Sequence, residues 1–425
     1  MTMDRNKSVK DFESVIRECV KCGVCQAHCP AYLATRKEGS VARGKIALAA
    51  ALLDREAGLE KRLQQDISMC LMCGSCVNKC PNKVSTNEIV GAIRREVTDN
   101  QGLSPIGKGV STLLSSKGLM KGLTKGGALL SPMVLKEVHE TSGLRLRFPS
   151  PIMKDRTLPR MSFRNLFDLA PEFTEASGSK GVVGFFAGCA ITYIYPEIGL
   201  IMIDILRNMG YSVYLPRTQG CCGIPALSMG NGKLVTKLAE DNISAFEKQE
   251  VSHIITACAS CNGGIGEYYT SMKGDYSHFT GKVVDFSVFL KEKRLFENLG
   301  EMKKWPNRVR VTYHDPCHLK TQGITAEPRE LLQSLPNVDF VEMERASSCC
   351  GLGGTFSVYH YETSKNIGAM KLEGIVDSGA SQVATGCPGC VMQLQDSINH
   401  GGLTVKAVHI LELLAQALKP AENDC

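Results

Sequence analysis

The run Cys19-x2-Cys22-x2-Cys25-x3-Cys29-Pro30 packs four cysteines into eleven residues and ends them with a proline. It recurs as Cys70-x2-Cys73-x2-Cys76-x3-Cys80-Pro81. Disulfide staples, zinc sites and iron–sulfur clusters all use dense cysteine, so the spacing has to decide between them. Structural zinc uses C-x2-C pairs and has no need of a third cysteine at the same step, twice over, each followed by x3-C-P. The repeated pattern is that of two [4Fe–4S] cubanes, where the fourth cysteine of each run crosses to the other cluster. The expected sets are Cys19, Cys22, Cys25 and Cys80 for one cubane, and Cys70, Cys73, Cys76 and Cys29 for the other.

Between and after these runs the apolar spacing is helical, in VARGKIALAAALLDREAG, near 60–67, and in IVGAIRREV. Residues 1–100 are therefore expected to form a helical two-cluster ferredoxin domain. The N-terminal MTMDRNKSVKDF lacks an apolar core, which argues against a signal peptide and for a cytoplasmic location. No run approaches the roughly eighteen apolar residues of a membrane span. In a reducing compartment, nineteen cysteines point to metal rather than to disulfides.

Residues 101–178 read as a basic connector. From 101 to 165 there are eleven Lys or Arg against three acids, a surplus of eight that exceeds the net charge of +6 for the whole chain. Leucines at 113, 114, 119, 123, 129 and 130 alternate with the lysines and suggest short amphipathic helices. The stretch reads either as a solvated linker or as a docking surface for an acidic partner or an anionic membrane face. No nucleic-acid motif accompanies the charge.

The remainder is duplicated. Cys189, Cys221, Cys222, Cys258 and Cys261 recur as Cys317, Cys349, Cys350, Cys387 and Cys390, at offsets of 128 to 129 residues. Each copy reads C-x31-CC-x35/36-CxxC, with glycine after the adjacent pair, giving modules over 179–305 and 306–425. Strand-like VVGFFAG, YSVYLP, HIITA, VRVTYHD, VDFVEM and SQVAT alternate with helical stretches, which implies an α/β fold with a parallel sheet in each copy. The cysteines fall at strand ends, where such folds collect ligands, so each copy should gather five thiolates in one crevice. Five is one more than a cubane or a zinc ion needs. Either an unusual cluster takes all five or one is spare. A vicinal disulfide fits poorly with two copies that repeat the distal cysteines as well.

Two CxxCxxCxxxCP runs followed by two CCG modules resemble the iron–sulfur subunits of glycolate oxidase and D-lactate dehydrogenase. The same assembly is similar to the D subunit of heterodisulfide reductase and to the third subunit of anaerobic glycerol-3-phosphate dehydrogenase. SVARGKIALA and TYHDPCHLKTQGI are closest to the glycolate and lactate group. The resemblance implies an electron-transfer subunit whose FAD-containing dehydrogenase partner oxidises a 2-hydroxy acid, with a quinone or another carrier as acceptor. It also implies one or two further iron–sulfur clusters, of a noncubane type held by all five cysteines of a module. The alternative it implies is cleavage of a disulfide at such a cluster.

Other candidates carry less. His314 and His318 flank Cys317, where they would tune a cluster or simply fill structure. GLGGT and NGGIGE allow close backbone approach to a cluster, and neither is a dinucleotide or phosphate loop. The chain is therefore expected to hold no flavin, nicotinamide or ATP site of its own. Cys425, in the polar tail, is expected to be unimportant.

Overall fold

The computed structural model describes residues 7–139, 143–148, 150, 154–160, 162–176, 178, 180–270, 272, 275–299 and 308–418. Cys425 lies outside them. The chain is mixed α/β: a helical front part is followed by a duplicated α/β unit.

The front part is built from Ala42–Leu53, Lys61–Ser68 and Thr86–Gln101, with short helices starting beside the cysteine runs. Its core is Ile46, Ala49, Leu63, Ile67, Ile89, Val90 and Ile93, closed from the N-terminal side by Val9, Phe12 and Ile16. Half-buried Arg94 fastens this part to the rest. Its guanidinium donates to the carbonyls of Ile67, Ser68 and Cys70, and across the seam to Ser228 O at 2.9 Å.

The first copy carries a sheet in the order 173–174, 212–214, 182–185, 254–256, 283–285, with only the edge strand Phe173–Thr174 antiparallel. The second carries a fully parallel sheet in the order 338–340, 309–313, 382–385, 406–409. The parallel strands thus run 2-1-3-4 in both copies, and the order reverses between the first and third strands. Cys189 follows the first strand and Cys258 the third, on either side of that switch point, as do Cys317 and Cys387 in the second copy. The fourth strands, Val283–Asp285 and Lys406–His409, are absent from the sequence reading. Each is three or four residues long and runs straight into an apolar helix that hides its alternation.

A single hydrophobic core spans both copies, from Phe185 and Met202 to Val383 and Leu411. Small residues let the sheets meet at their cysteine-bearing ends. Ala259 N donates to Gly386 O at 3.0 Å, and the buried His409 ring lies 3.0 Å from Ala257 O. The crevices expected one per copy are therefore joined.

The connector is folded rather than solvated. It forms the helices Pro105–Ser115 and Lys117–Val134, then an antiparallel hairpin of Leu135–His139 and Gly143–Leu146. Its continuation is strapped to the second copy: Thr157 N donates to Asp396 Oδ1 at 2.6 Å, and Arg156 lies over the Tyr361 ring. The long helix is amphipathic, with its apolar face turned outward. Lys117 donates to Thr218 O, Lys121 to Asp168 Oδ1 at 2.6 Å, and Lys125 stands 3.7 Å from the same carboxylate. Leu119, Leu123, Leu129, Leu130 and Met133 face solvent, Met133 being 73% exposed.

Candidate metal centres

In the front part, each cysteine run winds through a tight turn. Lys21 and Met72, equivalent in the two runs, both have φ +56°, a left-handed conformation that costs a side chain about 1 kcal/mol or more. That strain turns successive thiols to one side. The proline after the fourth cysteine begins a new helix at Pro30–Thr35, so Cys29 leaves its own run in extended conformation. The result is two separate groups. Cys19, Cys22, Cys25 and Cys80 line one hollow, with Cys76 at its edge. Cys29, Cys70, Cys73 and Cys76 line the other, beside the buried ammonium of Lys45. Cys22 is exposed, whereas burial pushes the Cys29 thiol up to about 12.

In the duplicated part, all ten cysteines line one cavity of about 290 Å³, together with Cys73 from the front part. The glycine after each adjacent pair makes this geometry possible. Gly223 and Gly351 have φ near +100°, freely open only to glycine, and turn their N–H groups to Cys221 Sγ and Cys349 Sγ, at 3.4 Å in both cases.

The sulfurs form an unbroken line. Cys189 is hydrogen-bonded with Cys221, Cys221 with Cys222, Cys222 with Cys261, and Cys261 with Cys258. Cys258 meets Cys387 across the junction of the copies, and Cys387 meets Cys390. Cys390 Sγ is 3.6 Å from Cys350 Sγ, and Cys350 is joined to Cys349. Cys349 and Cys317 both touch Cys73. Hydrogen bonds from neighbouring thiols draw one partner in several pairs toward thiolate. Cys222 falls to about 5 through Cys221 and Cys261, and Cys73, Cys350 and Cys387 are lowered in the same way.

This donor set fits iron–sulfur clusters. It is nearly all sulfur, its members converge, and the remaining protons would leave as iron binds. A second observation agrees. Fully buried His314 faces Cys350, and its ring nitrogen, Cys350 Sγ and Cys390 Sγ all lie within 4.8 Å of one another. A buried imidazole beside two of the sulfurs suits a donor to whatever group they hold. His318 lines the cavity wall, as do Gly353 and Gly354.

Several participants are absent from the sequence reading. Lys45 donates to the carbonyls of Gly39 and Ser40 behind the Cys29 group, and Lys371 and Lys320 stand behind the second copy's cysteines. For Lys45 a signal existed: within the helix Ala42–Leu53 it shares the buried face with Ala42, Ile46 and Ala49. Met120, which reaches the cavity from the connector, had none.

Comparison with known proteins agrees with this arrangement. Residues 15–84 match the 4Fe-4S dicluster domain, and residues 183–266 and 311–395 match the CCG cysteine-rich domain. A Bacillus subtilis protein described as a probable glycolate oxidase iron-sulfur subunit is 29% identical, over 98% of this chain and 99% of its own length. Lactate utilization protein A of Oceanobacillus iheyensis is 32% identical, over 55% of this chain and 96% of its own. The D subunit of the dihydromethanophenazine:CoB–CoM heterodisulfide reductase of Methanosarcina barkeri is 26% identical, over 94% and 93%. With a dicluster domain, two CCG domains and these relatives, the chain carries multiple iron–sulfur clusters and belongs to the family of oxidoreductase iron–sulfur subunits that includes lactate utilization protein A.

Proposed function

We propose that the chain is the electron-transfer subunit of a flavin-dependent 2-hydroxy acid dehydrogenase of the D-lactate or glycolate type. Its FAD would sit on a partner protein and its electrons would pass to a quinone or another carrier. Iron–sulfur clusters, when bound, accept and release single electrons, while oxidation of a 2-hydroxy acid removes two together, so a flavin is needed upstream. In this reading Cys19, Cys22, Cys25 and Cys80 hold one cubane, and Cys29, Cys70, Cys73 and Cys76 the other. The five cysteines of each CCG copy hold a further cluster.

The observation that carries the reading is the order of the sulfurs. Cys22 reaches the surface, Cys76 borders both front hollows, and Cys73 touches Cys317 and Cys349, from which the line runs on to Cys189. The exposed edge suits a docked donor and the buried line suits delivery. The test is stopped-flow absorbance with the flavoprotein partner. The chain alone, free of flavin, should oxidise no D-lactate or glycolate. With the partner added, its clusters should be reduced within one turnover, and Cys73→Ala should abolish delivery to a distant acceptor while flavin reduction continues. Turnover of either acid by the flavin-free chain would defeat the reading.

The outward leucines of Lys117–Val134 support contact with the inner face of an anionic membrane. Among the described residues no helix is long and apolar enough to cross one. The segment 101–136 carries no acid, and the exposed stripe is Leu119, Leu123, Leu129, Leu130 and Met133. Leu123→Asp combined with Leu130→Asp should release the chain from vesicles containing anionic lipid in a sedimentation assay. Unchanged pelleting would remove this contact from the account.

One observation favours a second reading. The cavity is lined by all ten CCG cysteines with His318, a sulfur-rich lining suited to a disulfide cleaved in two one-electron steps. Disulfide reduction from a one-electron donor, lost in Cys349→Ala or Cys350→Ala, would put that reading first.

A further inference from the structure

The duplication makes a residue-by-residue comparison possible, and the two copies differ where they surround the thiols. His314, in the turn after the first strand of the second copy, corresponds to Phe186 in the first copy at the offset of 128. Phe186 is fully buried and stacks on Phe246, so the first copy presents hydrocarbon where the second presents an imidazole facing Cys350.

Behind each adjacent cysteine pair, one side chain clamps the incoming loop. In the first copy it is neutral: Asn242 accepts from Gly220 N at 2.7 Å and donates to Cys221 O at 2.9 Å. At the offset of 129 the second copy has Lys371, only 2% exposed. Its ammonium donates to Ala346 O at 2.8 Å, and also to Arg345 O and Ser348 O. Lys320, on the helix that begins at Cys317, replaces Thr192 and donates to Ser347 O and Ser75 Oγ. Both lysines feel the charges of Cys317 and Cys349, and Lys320 that of Cys73 as well.

The nearby acid does not cancel them, because Asp315 is held by both terminal nitrogens of Arg329, at 2.7 and 3.0 Å. Around the first copy's five thiols the strongest charges are those of the other cysteines. Lys117 is turned to Thr218 O, and the charges acting on it are those of Asp241, Lys237 and Lys248 rather than a cysteine's.

We propose that His314, Lys371 and Lys320 are positioning residues that make the second cysteine copy the higher-potential site, the one filled first by electrons arriving past Cys73. An added electron is stabilised by a nearby buried cation and by a donor aimed at sulfur, and both effects strengthen in a low-dielectric interior. The first copy, with Phe186, Asn242 and Thr192 at the equivalent positions, then takes its electron only after the second is reduced. This rests on the reading that both copies bind clusters.

The test is an EPR-monitored redox titration of the reconstituted full chain, with iron determined on the same samples. The wild type should show two CCG-site signals titrating in separate steps. Giving the second copy the residues of the first, as His314→Phe, Lys371→Asn and Lys320→Thr, should lower one signal's reduced-to-oxidised ratio at least tenfold at a fixed poise. That is about 59 mV for one electron, with the other signal unmoved and iron unchanged. Two signals that titrate together in the wild type would overturn the proposal. So would full-iron variants with unshifted steps; Lys320→Thr, at the half-buried edge of the site, serves if the deeper changes lose iron. The absence of any CCG-site signal would instead defeat the reading that these modules bind clusters.

Discussion

Cys29→Ser will remove the iron held by Cys70, Cys73 and Cys76, and leave that held by Cys19, Cys22 and Cys25 in place. By sequence, Cys29 belongs to the first run; by position it does not. Pro30 starts a helix at once, and the extended backbone at Cys29 carries its sulfur into the hollow of the second run. There the charges acting on it are those of Cys73, Lys45 and Cys70. Cys80 makes the reciprocal crossing to Cys19, Cys22 and Cys25. A serine hydroxyl is a poor substitute for a thiolate toward iron. The variant should therefore lose roughly four irons and one of two cubane signals in the EPR spectrum of the reduced protein. Because Cys73 touches Cys317 and Cys349, the lost group is also the one that faces the CCG cavity, so delivery onward should fail as well. Retention of the second-run signal with loss of the first would reverse the assignment.

The cysteine framework was legible because its information is local. Spacing within each run, the glycine after each adjacent pair and the repeat offset all follow from short chemistry that one residue type at one step must satisfy. The first three strands of each copy were legible for the same reason, since Val182–Phe185 or Gln382–Thr385 stands as an apolar run between turns. Where the chain depends on distant partners the sequence was mute. The union of two crevices into one cavity rests on Ala257, Ala259 and Gly386, small residues with no signature of their own. The direction in which the connector helix faces was equally hidden. Leucines and lysines alternate there with helical period, but Asp168, 47 residues from Lys121, decides that the lysines turn inward. The difference between the two copies was present in the letters at 186 and 314, at 192 and 320, and at 242 and 371. Only the fold says that these positions surround the same sulfurs.

The CCG copies should hold clusters of their own, beyond the two cubanes of the front part. Ten sulfurs converge on one cavity, one neighbour in several pairs is drawn toward thiolate, and a buried histidine faces two of the sulfurs. An apoprotein with so many close thiols would be a poor resting state, since unmetallated neighbours oxidise readily. Iron and acid-labile sulfide should be quantified on the anaerobically reconstituted full chain, alongside Cys222→Ser and Cys350→Ser. The wild-type chain should carry clearly more than the roughly eight irons that two cubanes supply, with the excess falling in each variant. Eight or fewer irons in the fully reconstituted protein, or stoichiometric zinc in their place, would mean that the CCG copies hold no clusters.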